Sequence, residues 1–277
     1  MRIVTSLPDP FVVPDLPDQG TSGSVPWGGH RFPNGKTMST PRLVVGEKTA
    51  VFVIAGQSNC SNSEDTAYSP GNAAKVDNFN IYDGGMYRAV DPLLGCTIKT
   101  STLNGNIFGR VADKLINAGW RDRIILATVG YGGSAISSWR LGGQLNPRLI
   151  IAPQRLAAVG LSVTAFIWMQ GETDNNPLST PQANYAAALG EVIGTPRALG
   201  FNAPWLIGKC TYINGATSAQ VRAAQAGVAN GTNIFGGADT DTLTGVANRY
   251  DDAHFSALGA DAAADLWKAA IISALGA

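Results

Sequence analysis

Four seven-residue stretches, at 49–55 (TAVFVIA), 123–129 (RIILATV), 162–168 (SVTAFIW) and 204–210 (PWLIGKC), are short, nearly continuous apolar runs. Runs of this length suit strands buried on both faces, the pattern of a parallel sheet. NFNIYD at 78–83 is a shorter candidate, and NIFGGA at 233–238 a weaker one. Helical periodicity fills the gaps. Ile107, Phe108, Val111, Leu115 and Ile116 share a face, with Gly119 as a stop. Thr180-Pro181 reads as an N-cap followed by proline at the first helical position, with Tyr185, Leu189 and Val192 facing inward. Thr217-x-x-Gln220 has capping-box spacing. A last helix is expected from Ser256 to Leu275, its inner face carrying Leu258, Ala262, Leu266 and Ile271. Such alternation over some 225 residues predicts a parallel sheet with helices on both faces.

Residues 1–47 read differently. They hold seven of the fifteen prolines, with Gly28-Gly29 and a Gly-Thr-Ser-Gly-Ser stretch at 20–24. No regular helix fits there, and the segment is expected to be an extended arm, laid over the 48–277 domain or used for attachment to a larger assembly. The prolines also interrupt any signal-peptide core, and no apolar run is long enough to span a membrane. The location stays open: the protein is cytoplasmic as expressed or phage- or virion-associated, and a mature secreted form would look the same. Twenty basic residues balance twenty acidic ones, which speaks against a nucleic-acid or anionic-membrane partner. Three scattered cysteines suggest no disulfide framework. With only His30 and His254 in the chain, a histidine metal cluster is not expected, and any histidine chemistry must use one of the two.

In parallel sheets, reactive groups gather beyond the carboxyl ends of the strands. Four segments fall there or beside the last helix. Gly56-Gln57-Ser58-Asn59 follows the first strand and offers a hydroxyl, although no Gly-x-Ser-x-Gly elbow occurs. VGYGGSAISSW at 129–139 has paired glycines whose amides a ligand can approach. IWMQGETD at 167–174 sets the Gln170 carboxamide, a candidate oxyanion donor, beside Glu172 and Asp174. In YDDAHFSALG at 250–259, Asp251 lies three residues before His254, a spacing that lets a carboxylate hold Nδ1–H; Asp252 is adjacent, so spacing alone picks between them. Taken singly, each has a bland alternative: a loop serine, a glycine turn, a solvated acidic loop, a helix start. Together they supply the parts of acyl transfer.

GQSN, GGSAISSW, WMQGETD and DDAH, in that order, resemble the SGNH-hydrolase superfamily, specifically its sialate O-acetylesterase-like branch with the acetyl xylan esterases of carbohydrate esterase family 6. The resemblance covers residues 49–275. It implies a flavodoxin-like three-layer α/β/α sandwich, with Ser58 as nucleophile, His254 as general base and then acid, and Asp251 as its partner. The oxyanion hole would comprise the Ser58 amide, the Gly133 amide (Gly132 being the neighbouring candidate) and the Gln170 side chain. Gln57, Asn59 and Glu172 would support the site, and Glu172 is the rival carboxylate for orienting His254. Cys60 and Ser134 stand where the family more often has an apolar residue and threonine. The implied activity is a serine esterase removing O-acetyl groups from carbohydrate through an acyl-enzyme, with no metal or organic cofactor. Trp139, just after the glycine turn, and Arg140 are expected at a substrate rim, and Trp168 in the core. The competing readings are a catalytically silent carbohydrate-binding or phage tail-associated protein, and a lipase or thioesterase with the same triad.

Overall fold

The computed structural model of the chain describes residues 33, 35–39 and 46–276; most of the expected arm, with His30, lies outside them. The strands are β1 (Thr49–Gly56), β2 (Val76–Phe79), β3 (Met86–Arg88), β4 (Arg123–Thr128), β5 (Ala165–Met169), β6 (Trp205–Lys209) and β7 (Ile234–Asp239). They form one sheet in the order β3-β2-β4-β1-β5-β6-β7. All neighbours pair in parallel except β2 and β3. The four apolar runs thus become β1, β4, β5 and β6, and the weak sixth candidate becomes β7.

NFNIYD is only half a strand. β2 starts two residues before it and stops at Phe79, because Asn80 opens a reverse turn: its carbonyl accepts from Gly84 N at 2.9 Å and its side chain from Tyr82 N at 3.1 Å. That turn folds β3 back as an antiparallel edge, which the sequence pattern did not foretell. Residues 37 and 39 lie along this edge, Arg88 N donating to Thr37 O and Ser39 N to Met86 O.

The helices are α1 (Ile107–Asn117), α2 (Asn146–Ala158), the single turn α3 (Glu172–Asn175), α4 (Gln182–Arg197), α5 (Ala219–Gly227) and α6 (Ala257–Leu275). Alternate residues of β1 serve opposite faces. Val51, Val53 and Ala55 pack under α2, α4 and α5, while Ala50, Phe52 and Ile54 pack under α1 and α6. This is the three-layer α/β/α arrangement.

Three local expectations shift. α4 is capped by Pro181, and Thr180 instead donates its hydroxyl to Asp174 Oδ1 at 2.7 Å. α5 is capped by Ser218, whose Oγ accepts from Val221 N, while Gln220 accepts from Gln182 N on α4. α6 is capped by Ser256, where its start is expected, but buries Ala260, Ala263, Ala264, Trp267 and Ile271, leaving Leu258 exposed. At Gly259 the helix passes so close to the preceding loop that a Cβ would lie 2.0 Å from Asn248 O. Among the described residues, no helix is long and apolar enough to cross a membrane.

Candidate active site

β1 has to end where it does. Gly56 has φ +138°, and a Cβ there would lie 2.0 Å from Met169 O of the neighbouring strand, so only glycine fits. Gln57 N still pairs with Met169 O at 3.0 Å; then the chain coils into a tight turn over Ser58–Cys60. The Ser58 carbonyl anchors it, accepting from Ser61 N at 2.8 Å and Ser63 Oγ at 2.6 Å. Ser58 is 4 % exposed at the carboxyl rim of the sheet. Neither its amide nor its Oγ is hydrogen-bonded to any described residue.

Beside the serine, two carboxamides are locked together. Gln57 Oε1 accepts from Gln170 Nε2 (3.1 Å), Gly171 N (3.3 Å) and Thr173 N (3.2 Å). Three donors on one oxygen fix which way the group is turned, and Gln57 Nε2 has no acceptor among the described residues. Gln170 is the reverse case. It is fully buried; its Nε2 also donates to Asp174 Oδ2 at 2.6 Å and Ser134 O at 3.1 Å, and its Oε1 accepts from Tyr185 Oη at 2.8 Å. Both hydrogens of Gln170 are committed to protein acceptors, so the expected oxyanion donor is a structural link in this arrangement.

The glycine turn separates its two candidates. Gly132 N donates to Thr97 Oγ1 at 2.8 Å. Gly133 is exposed, has φ +70°, and its amide bonds to no described residue. Beyond it the chain coils inward through Ile136–Ser138, tied to the third segment by Ile136 N donating to Asp174 Oδ2 at 2.8 Å. That inward turn overturns the rim expectation for Trp139. Its side chain is fully buried, with Nε1 on Ser134 Oγ at 2.8 Å and its ring edge-on to Trp168 at 5.6 Å. Arg140 is exposed.

The fourth segment carries the acid and base. His254 Nδ1 lies 2.8 Å from Asp251 Oδ2, and Asp251 Oδ1 accepts from His254 N at 2.7 Å. Asp252 turns the other way, at φ +62°, taking the Tyr212 hydroxyl on Oδ1 at 2.5 Å. Three bonds stitch this loop to the nucleophile turn and the chain that follows it: Asn59 Nδ2 to Ala253 O (3.1 Å), Tyr250 Oη to Ser63 O (3.0 Å) and Asp65 N to Phe255 O (3.4 Å). Arg249, unremarked in the sequence, clamps it from below by donating to Ala253 O, Thr240 O and Leu243 O while its guanidinium lies 3.8 Å from the Phe255 ring centre. Glu172 is 2 % exposed and takes Asn59 Nδ2 on Oε1 at 2.6 Å, so among the described residues its hydrogen-bonded link to the histidine loop runs through Asn59. Burial pushes its carboxyl up to about 7, against the pull of the Asn59 bond.

A second residue that sequence reasoning missed sits on the acid–base pair. Lys99 Nζ is 2.9 Å from His254 Nδ1 and 3.0 Å from Tyr250 Oη, and it is paired with Asp251 Oδ2. Burial alone would raise the Asp251 carboxyl, but its bonds to His254 and Lys99 outweigh that and hold it well below the usual carboxylate range. Burial lowers the His254 imidazole; Asp251 opposes that, and the Lys99 and Arg249 cations reinforce it.

A family model described as carbohydrate esterase, sialic acid-specific acetylesterase, matches residues 48–271. Among solved structures, a protein from Arabidopsis thaliana is 19% identical, with a TM-score of 0.63 over 83% of this chain and 98% of its own. A carbohydrate acetylesterase from Xanthomonas citri is 16% identical, with a TM-score of 0.55 over 82% of this chain and 56% of its own. A protein from Parabacteroides merdae described as a GDSL-like lipase is 12% identical, with a TM-score of 0.53 over 83% of this chain and 97% of its own. At such identities these likenesses concern the fold. No curated protein sequence matches the chain.

Proposed function

Because this chain belongs to the carbohydrate esterase family of sialic acid-specific acetylesterases, and is thus a carboxylic ester hydrolase, we propose that it removes O-acetyl groups from carbohydrate through Ser58, His254 and Asp251. The observation that carries this reading is the anchoring of the Asp251–His254 loop onto the turn that holds Ser58, through Asn59, and onto the chain just after it, through Ser63 and Asp65. In the first step Ser58 Oγ attacks the acetyl carbonyl while His254 Nε2 takes the hydroxyl proton, and Asp251 receives the Nδ1–H of the resulting imidazolium. The tetrahedral oxyanion is held by three donors that have no protein acceptor among the described residues: Ser58 N–H, Gly133 N–H and Gln57 Nε2. His254 then returns the proton to the leaving sugar oxygen. In the second step it deprotonates water, which attacks the acyl-enzyme and releases acetate. No step draws on a metal or organic cofactor.

Glu172, Asn59 and Gln170 act in this reading as the frame that keeps the four segments in register. Acetylated polysaccharide or acetylated sialic acid is the substrate class, with Arg140 at the rim.

Hydrolysis of p-nitrophenyl acetate against longer-chain esters, with wild type beside Ser58→Ala and both checked for folding, tests the proposal. Acetate turnover that falls off with chain length and disappears in the folded variant supports it. Equal rates from both proteins would move a catalytically silent, carbohydrate-binding role to the front, and a preference for long acyl chains would favour a lipase or thioesterase.

A further inference from the structure

Imidazole Nδ1 has room for one hydrogen-bond role at a time. It either carries a proton and donates, or presents its lone pair and accepts. At His254 two partners of opposite character stand at nearly equal distance: Asp251 Oδ2, which can only accept, at 2.8 Å, and Lys99 Nζ, which can only donate when charged, at 2.9 Å. Donating to Asp251 leaves the lone pair on Nε2, where the Ser58 proton must go. Accepting from Lys99 puts the proton on Nε2 and removes the base.

We infer that Lys99 is a positioning residue of the acyl-transfer site, its ammonium wedged against the Asp251–His254 pair so that it contests the imidazole tautomer and opposes protonation of the ring. This rests on His254 being the base. The lysine does not lie there by chance of a long side chain. Lys99 N donates to Asn62 O at 2.9 Å and Asn62 N to Thr97 O at 3.0 Å, so its backbone is paired to the strand of chain that follows the nucleophile. Its Nζ has Tyr250 Oη at 3.0 Å and the Tyr250 ring at 5.0 Å to complete its shell. Among the described residues, the other charged or titratable groups near His254 are held elsewhere. Tyr250 stacks on the imidazole at 6.1 Å, Arg249 is bound to three carbonyls, Asp252 is turned to Tyr212, and Glu172 reaches the loop through Asn59.

A cation at this distance disfavours the imidazolium, whereas Asp251 favours it. Asp251 therefore orients the base, and Lys99 keeps it from being protonated in mildly acidic surroundings. Removing the lysine should leave the pair intact but raise the pH at which the base is lost.

The chain has only two histidines, so imidazole ¹H–¹⁵N spectra of the full-length protein carrying His30→Gln report His254 alone. In that background, His254 is expected to titrate below an ordinary histidine, Lys99→Met to raise the midpoint by about one unit and to shift the tautomer toward Nδ1–H, and Lys99→Arg to keep the midpoint low. The acid limb of kcat/KM for acetyl esters should move with the NMR midpoint. A Lys99→Met midpoint equal to or below that of the parent overturns the inference. Should that variant not fold, a parent protein whose His254 titrates at or above the ordinary value overturns it as well. The spectra do not depend on turnover, so a failure here is separable from a failure of the esterase reading.

Discussion

Asn59 Nδ2 donates to Glu172 Oε1 at 2.6 Å, while the amide oxygen of Asn59 (Oδ1) and the second carboxyl oxygen of Glu172 (Oε2) are buried without a hydrogen-bond partner among the described residues. Two orphaned acceptors on paired planar groups call for a proton. A protonated Glu172 can donate from Oε2 and give Asn59 Oδ1 something to accept, in keeping with a carboxyl raised by burial to about 7. The sign follows from proton counting. The folded protein holds this proton up to about pH 7 and the unfolded chain releases it near 4.5, so stability falls as pH rises between the two. Glu172→Gln keeps the Asn59 bond and cannot lose a proton. Relative to wild type, it should gain stability between pH 4 and pH 8 by on the order of 3 kcal/mol, read from urea unfolding at each pH. Parallel stability curves would show that Glu172 is ionised when folded. Because Asp251, and not Glu172, touches the imidazole, kcat should stay within about tenfold of wild type.

Gln57 and Gln170 make a second pair whose roles can be separated. Gln57→Glu retains an oxygen for Gln170 Nε2, Gly171 N and Thr173 N, and replaces the unbonded Nε2 with an oxygen. If Nε2 is an oxyanion donor, kcat should fall about 10²-fold or more with KM little changed, in a protein that melts near the wild-type temperature. Gln170→Ala removes four protein bonds from a fully buried side chain and should lower the melting temperature as well as kcat. A fully active Gln57→Glu would return the third donor position to another group.

Much of this was legible in the sequence, for reasons that also mark where legibility stopped. β1, β4, β5 and β6 are buried on both faces, so they show as continuous apolar runs. α2 hid because its buried side includes Arg148 and Arg155, which read as solvent-facing but bind carbonyls of the sheet layer: Gly95 O and Val129 O for Arg148, Ile81 O for Arg155. The Asp251–His254 pair was visible because the two are three residues apart. Lys99 and Arg249 were not, because their contacts with the same pair and its loop depend on how Asn62 pairs with residues 97–99 and how residues 240–255 curl. Trp139 was misplaced because a sequence shows a glycine turn but not the direction in which the chain leaves it. For the carboxamides, residue type was informative, but which glutamine is left with a donor depends on where each oxygen points.

The choice between the two adjacent acids gives the sharpest contrast. Asp251 Oδ2 lies 2.8 Å from the imidazole Nδ1 and its Oδ1 accepts from His254 N, whereas Asp252 accepts from Tyr212 Oη and its carbonyl takes Asn214 N. Asp251→Asn presents an amide where the Nδ1–H needs an acceptor, favouring the tautomer that cannot accept the serine proton. The expected loss in kcat is about 10³- to 10⁴-fold at neutral pH, by analogy with other serine triads. With Asp251 neutral, the imidazolium also loses the carboxylate that favours it while Lys99 remains, so the acid limb should not rise above that of wild type. Asp252→Asn keeps an oxygen for Tyr212 and, of the backbone types tolerated at φ +62°, asparagine is among the best. It should change stability by about 1 kcal/mol or less and leave kcat nearly unaltered. Steady-state kinetics of the two variants across pH decide the matter: equal losses would mean that the loop as a whole, and not the Asp251 carboxylate, supports the base.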